Sequence, residues 1–186
     1  MAIDADAVAL RLAPSPRPDA SFGLKVYHPA SAIPLSSRVP MLENFGFRVI
    51  DEFTHTVSPS DRQPVWIHDM ALQPIPGLQL DTPAALRRIE AAILAVWADA
   101  AESDALNQLT SRVGLDWTDV EILRALTRYL RQIGFALSQP FVEATLVQHA
   151  ELARQLVALF KLRHDPALDP AVADAQAAAL LLAHEA

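Results

Sequence analysis

Short stretches in which apolar and polar residues alternate recur through the first half of the chain. They are Val8–Leu12, Leu24–His28, Val49–Val57 and Val65–Leu72. Alternation with a period of two places successive side chains on opposite faces of a β-strand, so each stretch is predicted to be a strand. The last two are separated by the polar segment 58–64, which predicts an antiparallel hairpin.

The second half of the chain has a helical pattern instead, with apolar residues recurring three and four positions apart. Helices are predicted to begin near Thr82, Ser103, Asp116 and Ser138, because each of these residues can cap a helix and precedes an apolar stripe. A bend is expected near His149. The second half is therefore predicted to be all α-helical.

One further helix is predicted between the second and third strands. Ser36 or Ser37 can cap it, and Pro40 predicts a late start because proline is tolerated only in the first helical turn. Gly46 is expected to end this helix in the left-handed conformation.

These elements predict an α+β fold of the ferredoxin-like type. A helical crossover makes the second and third strands parallel, and the fourth strand fits between them, antiparallel to both. The first strand then pairs with the free side of the second. Two helices, ending at Gly46 and beginning at Pro83, cover one face, and an all-α segment follows.

Composition removes several classes of protein. The 186 residues contain no cysteine, which excludes disulfides and thiolate metal sites, and 52% are hydrophobic, as in a globular protein. There is no apolar run long enough for a membrane span and no signal-peptide pattern. The net charge of −7 argues against nucleic-acid binding. We therefore expect a soluble, cytoplasmic protein with no membrane or nucleic-acid partner.

The residues offer little catalytic chemistry. Five isolated glycines form no phosphate-binding loop, so no cofactor-binding residue is predicted. His55 and His68 could lie opposite each other on the predicted hairpin and are the weak candidates for a metal site. Asp51 and Glu52 should point to opposite faces of their strand, which weakens a paired-carboxylate mechanism. No catalytic residue is predicted.

Three arginines, Arg124, Arg128 and Arg131, recur at helical spacing. They predict a solvated helix face paired with acidic side chains, with an anion or partner contact as the alternative. The residues alone therefore indicate a binding or structural module.

Several short segments of the sequence also resemble a known protein family. Residues 33–52 read IPLSSRVPMLENFGFRVIDE, residues 24–29 read LKVYHP and residues 65–70 read VWIHDM. These phrases, in this order, resemble a segment of the large bacterial NAD-dependent glutamate dehydrogenases. The helical phrases at 101–107 and 128–135 continue the resemblance, which covers residues 22 to 166.

The resemblance implies an interior, non-catalytic segment of an enzyme that oxidises glutamate to 2-oxoglutarate and ammonia with NAD. It implies an ACT-like module at 1–80, possibly completed by helix 82–101, and a helical segment at 81–186. The segment itself would carry no cofactor, while the parent enzyme would use NAD. Its partners would be the remaining domains and subunits of the parent.

ACT-like modules elsewhere bind small amino acids near the loop after the first strand. By that analogy the possible effector-binding residues are His28, Ser31, Ile33 and Ser36. A regulatory role and a purely architectural role both remain open. The alternatives from other classes are a standalone protein-interaction adaptor and a small metalloenzyme built on His55 and His68.

Overall fold

The computed structural model describes residues 8–29, 31–58, 60 and 63–182, with side chains described as far as residue 180. A sheet dominates the first half. Its strands are β1 (Ala9–Pro14), β2 (Phe22–Pro29), β3 (Phe47–Val57) and β4 (Val65–Pro74). The described helices are α1 (Leu35–Asn44), α2 (Pro83–Trp97), α3 (Gln108–Val113), α4 (Trp117–Gln132), α5 (Gln139–Gln148), α6 (Ala150–His164) and α7 (Pro170–Leu182).

The four strands lie in the order β1-β2-β4-β3, and each neighbouring pair is antiparallel. Both the order and the hairpin of β3 with β4 were predicted from the sequence and are confirmed. β3 contains a bulge between Val49 and Asp51, where the pairing with β4 shifts by one residue. The bulge leaves the Ile50 side chain 48% exposed.

Helix α1 begins earlier than the sequence predicted. Its N-cap is Pro34, no side chain caps it, and Pro40 lies inside the helix. Ser36 is thus the second helical residue and not the cap, because the proline that precedes Leu35 is already fixed in the extended conformation that an N-cap needs. Gly46 has φ +86°, so the predicted left-handed ending is confirmed.

The core lies between one face of the sheet and helices α1 and α2. α1 contacts β3 and α2 contacts β1. The hydroxyl of Thr82 accepts a hydrogen bond from the backbone N–H of Ala85, which confirms the predicted cap of α2. The buried cluster comprises Val8, Leu12, Leu24, Val26, Ile33, Met41, Leu42, Phe45, Phe47, Met70, Leu72, Leu80, Ile89, Ala92, Ile93 and Trp97.

The chain divides into two compact units, the first ending at Glu121 and the second beginning at Ile122. In the first, Asp104 and not the predicted Ser103 caps the turn that leads into α3. In the second, His149 lies between α5 and α6, which confirms the predicted bend. Among the described helices, none combines the length and apolar composition needed to cross a membrane.

Candidate functional site

A cluster of polar side chains, two of them buried, lies on the helix-covered face of the sheet. Thr54 on β3 is paired with His68 on β4, so their side chains point to the same face. Glu52 precedes Thr54 by two residues and shares that face, and Arg38 reaches it from α1. His68 is completely buried and Arg38 is 2% exposed. His68 and Arg38 therefore belong to the interior of the module, whereas Glu52 is half-buried and Thr54 is exposed.

One carboxylate oxygen holds the cluster together. Glu52 Oε1 lies 2.5 Å from Arg38 Nη1 and accepts a hydrogen bond from Thr54 Oγ1 at 3.0 Å. His68 Nδ1 lies 3.1 Å from the same oxygen and 3.0 Å from Thr54 Oγ1. The second oxygen, Glu52 Oε2, is buried and has no hydrogen-bond partner among the described residues.

A hydrogen bond from the loop after β2 determines which nitrogen of His68 carries the proton. The backbone N–H of Ile33 donates to His68 Nε2 at 3.1 Å, so this nitrogen must be an acceptor. The proton of the neutral ring then lies on Nδ1, where it is donated towards the Glu52 carboxylate. Both ring nitrogens are engaged inside the protein.

Burial keeps the His68 ring neutral. Desolvation lowers the pKa of His68 from its ordinary value of 6.5, and the positive charge of Arg38 lowers it further. The hydrogen bond and charge of Glu52 act in the opposite direction but do not outweigh these effects. A buried neutral imidazole with both nitrogens bonded cannot readily exchange protons with a substrate. The cluster therefore has a structural effect, because its hydrogen bonds connect the loop after β2 to the sheet.

The residues proposed for effector binding are brought together only in part. His28 Nδ1 lies 2.6 Å from the carbonyl oxygen of Ser31, which closes the loop on itself. Ile33 is 2% exposed and its N–H is occupied by His68. Ser36 is exposed in the first turn of α1. Three of the four predicted positions, His28, Ser31 and Ile33, therefore take part in hydrogen bonds that hold the loop itself.

The predicted pairing of His55 with His68 is wrong. His55 is paired with Ile67, and His68 with Thr54, so the two imidazoles lie on opposite faces of the sheet. The predicted register of the hairpin was one residue off, and such a slip exchanges the two faces of the strand. Among the described residues, no group of three potential metal ligands converges.

Sequence analysis missed Arg38 and Glu52 as members of this cluster. A regular strand would direct Phe47, Val49 and Asp51 inward, and Glu52 outward. The bulge at Ile50 reverses this alternation, so that Glu52 and Thr54 face the helices. The separation of Asp51 and Glu52 onto opposite faces was predicted correctly, but which of them turns inward depends on the bulge.

The arginine stripe on α4 also departs from the sequence prediction. Arg124 is 2% exposed and is among the largest fully buried side chains, whereas Arg128 and Arg131 are exposed. Arg124 therefore does not belong to a solvated face.

Sequence comparisons identify relatives for most of the chain. The model described as "Glutamate dehydrogenase, ACT3 domain" matches residues 7–85, and "Glutamate dehydrogenase, helical motif 3" matches residues 101–166. The NAD-specific glutamate dehydrogenase of Halomonas elongata is 42% identical over 151 residues, which are 81% of this chain and 9% of the relative.

Two further relatives carry the same description. The NAD-specific glutamate dehydrogenase of Pseudomonas aeruginosa is 37% identical over 139 residues, 75% of this chain and 9% of the relative. That of Mycobacterium tuberculosis is 37% identical over 156 residues, 80% of this chain and 10% of the relative. The chain thus spans about a tenth of the length of these relatives.

Proposed function

Because this chain belongs to the NAD-specific glutamate dehydrogenase family, as an interior segment with an ACT-like module and a helical region, we propose that its role is architectural. In this proposal the complete protein oxidises glutamate with NAD, and this segment supports the enzyme without taking part in catalysis. The parent's remaining domains and subunits are its partners, and the complete protein is cytoplasmic. The module boundary near residue 80 belongs to the same proposal.

The observation that carries the proposal is the apolar surface of the second unit. Most of the large hydrophobic side chains that the structure leaves exposed lie there. They are Tyr129, Ile133, Phe135, Leu137, Phe141, Leu152, Leu156 and Val172. Tyr129 and Leu156 line one apolar depression together with Leu126, Leu130, Val142 and Leu146. A contiguous apolar surface of this kind marks a site that another protein surface covers. The relatives are about ten times longer than this segment. In this proposal, other parts of the dehydrogenase therefore cover the apolar surface of the second unit.

The polar cluster is consistent with an architectural role. Its histidine is neutral and fully engaged, and its arginine and carboxylate neutralise each other. The loop that an effector would contact is already bonded to the sheet through Ile33.

The test is a charge placed in the apolar surface of the complete dehydrogenase. Ile133→Asp is expected to impair assembly and activity of the full enzyme, while the isolated segment keeps its melting temperature because Ile133 is 60% exposed. Gln132→Asp, at the neighbouring exposed position, is the matched control and should leave assembly intact. Normal assembly of the Ile133→Asp enzyme would contradict the proposal.

A second candidate function is amino-acid sensing, and one observation favours it. Among the described residues, Glu52 Oε2 is buried and has no hydrogen-bond partner, and a buried carboxylate oxygen of this kind suits a ligand ammonium group. His68 connects Glu52 to the loop that contains Ile33. A sensor would show a saturable rise in melting temperature with an amino acid, lost in Glu52→Gln. A broad amino-acid panel that leaves the melting temperature unchanged would exclude it.

A further inference from the structure

A second concave site lies on the face of the sheet opposite to helices α1 and α2. It is a pocket of about 200 Å³ between that face and the loop joining β1 to β2. Arg11, Gly23, Lys25 and Asp69 face this side, because they alternate along their strands with the buried residues Leu12, Leu24 and Met70. The pocket is therefore separated by the sheet from the cluster that contains His68.

Small residues form the floor of this pocket. Ala13 on β1 is paired with Gly23 on β2, and Gly23 is paired with Ala71 on β4, so the three form one row across the sheet. All three line the pocket. The row leaves a trough because none of its members projects more than a methyl group from the sheet.

Gly23 keeps the trough open without being required by the backbone. Its φ is not among the positive values found at four other glycines, and it lies in a regular strand. A Cβ built at Gly23 would meet no atom within 4 Å. A side chain at this position would therefore occupy the pocket and disturb little else.

The walls of the pocket are basic, although the chain as a whole carries a net charge of −7. Arg11, Arg17 and Lys25 line it, with Asp69 as the acidic lining residue. Each basic group has one acidic neighbour, and the nitrogen–oxygen distances are long. They are 3.7 Å from Arg11 to Glu90, 3.9 Å from Arg17 to Asp51 and 3.5 Å from Lys25 to Asp69. Charge-assisted hydrogen bonds are about 2.7–2.9 Å long, so these cations retain donors for another anion.

The position of Arg17 closes one side of the pocket. Arg17 belongs to the β1–β2 loop, yet its guanidinium lies 5.0 Å from the ring of Phe53 on β3, at the far edge of the sheet. The backbone N–H of Arg17 is bonded to Ser15 Oγ at 3.0 Å, which shapes the loop beneath it. The loop thus reaches across the sheet and forms a wall beside the small-residue floor.

From this arrangement we propose that the pocket binds a small organic anion with a short apolar body. The anionic group lies beside Lys25, in the middle of the sheet, and the apolar body rests on the row that contains Ala13 and Gly23. The volume of about 200 Å³ suits a small, metabolite-sized ligand. This site lies on the other face of the sheet from the candidate sensor cluster and does not depend on the architectural role.

The test uses benzoate as the probe, with benzamide as its uncharged counterpart and inorganic phosphate as an anion without an apolar body. Amide chemical shifts of the full 186-residue chain are followed by NMR at constant ionic strength. Benzoate is expected to give saturable shifts centred on Arg17, Gly23 and Ala71, with a dissociation constant on the order of 1–10 mM. Benzamide and phosphate are each expected to bind at least about tenfold more weakly.

Two variants separate the shape of the pocket from its charge. Gly23→Val fills the trough with a residue that favours strands, and it should abolish benzoate binding while the melting temperature stays equal or rises. Lys25→Met is expected to weaken binding about tenfold, whereas Arg87→Met, at an exposed arginine of α2, is the matched charge control. Shifts that do not saturate, equal binding of phosphate, or unchanged binding by Gly23→Val would each overturn the proposal.

Discussion

The two units of this chain bury their apolar residues to different extents. In the first unit, four strands and two helices enclose a continuous core that includes Leu24, Phe47 and Ile93, all at most 1% exposed. In the second, the buried hydrophobic positions are mainly small or medium-sized, such as Ala153, Val157 and Ala177, while large side chains remain exposed. The first unit encloses a core of large side chains, whereas the second leaves many of its large apolar side chains exposed.

The difference follows from the elements that each unit contains. A sheet covered on one face by helices gives every inward strand position a partner, so alternation in the sequence is enough to fill the core. Helices α5 and α6 instead leave apolar side chains such as Phe141 and Leu156 exposed. A helix that is apolar beyond one stripe needs a second partner.

Breaking the buried ion pair of the first unit is expected to have the largest effect. Arg38→Met leaves the Glu52 carboxylate buried next to a neutral side chain, so the free energy of unfolding should fall by about 3–5 kcal/mol. Chemical denaturation measures the change. Arg87→Met removes an exposed arginine of the same unit and should alter stability by less than about 0.5 kcal/mol. Similar effects of both variants would mean that the pair is not buried.

The contrast between the two cores is tested by paired truncations. Leu24→Ala removes a completely buried side chain and is expected to cost about 2–5 kcal/mol in the free energy of unfolding. Ile133→Ala, in the second unit, should cost less than about 0.5 kcal/mol because this side chain is 60% exposed. Equal costs in denaturation experiments would remove the distinction between the units.

The helix caps of the two units can also be compared, with a smaller expected effect on stability. The Thr82 hydroxyl bonds to the N–H of Ala85, so Thr82→Ala should destabilise the chain by about 1 kcal/mol. Ser138 precedes α5 in the second unit but makes no capping hydrogen bond, so Ser138→Ala should have a clearly smaller effect. Thermal unfolding of both variants decides between them, and the reverse order would be incompatible with the cap geometry.

The pH dependence of stability should show a small contribution from His68. Because folding lowers the pKa of His68, the unfolded state binds more protons as the pH falls through 6.5. The stabilisation is present in full above that pH and decreases below it. In His68→Gln, where an amide oxygen can still accept from Ile33, unfolding curves across this range should show a weaker loss of stability towards acid.

Much of the fold follows from the sequence alone. Period-two alternation, the short hairpin and the proline and glycine positions were sufficient to predict four strands, their order and the left-handed end of α1 at Gly46. The start of α1 was misplaced because Pro40 is accommodated inside the helix. Ser36 consequently lies in the first turn and does not cap it.

The polar cluster was less predictable because it depends on a single extra residue. The bulge at Ile50 has no clear signal in the sequence, yet it determines that Glu52 and Thr54 face His68. The register of the hairpin decides by one residue whether His55 or Thr54 lies opposite His68. Arg124 was misassigned for a related reason, since regular spacing on a helix does not reveal which of its members is buried.

Hydrogen–deuterium exchange tests the central claim, that the apolar surface of the second unit is covered in the complete dehydrogenase. Exchange is compared for peptides spanning residues 126–142 in the isolated chain and in the full-length enzyme, with a peptide from the buried strand β2 as the internal reference. The account predicts markedly slower exchange of 126–142 in the full-length enzyme and little change in β2. Equal exchange of residues 126–142 in both proteins would contradict it.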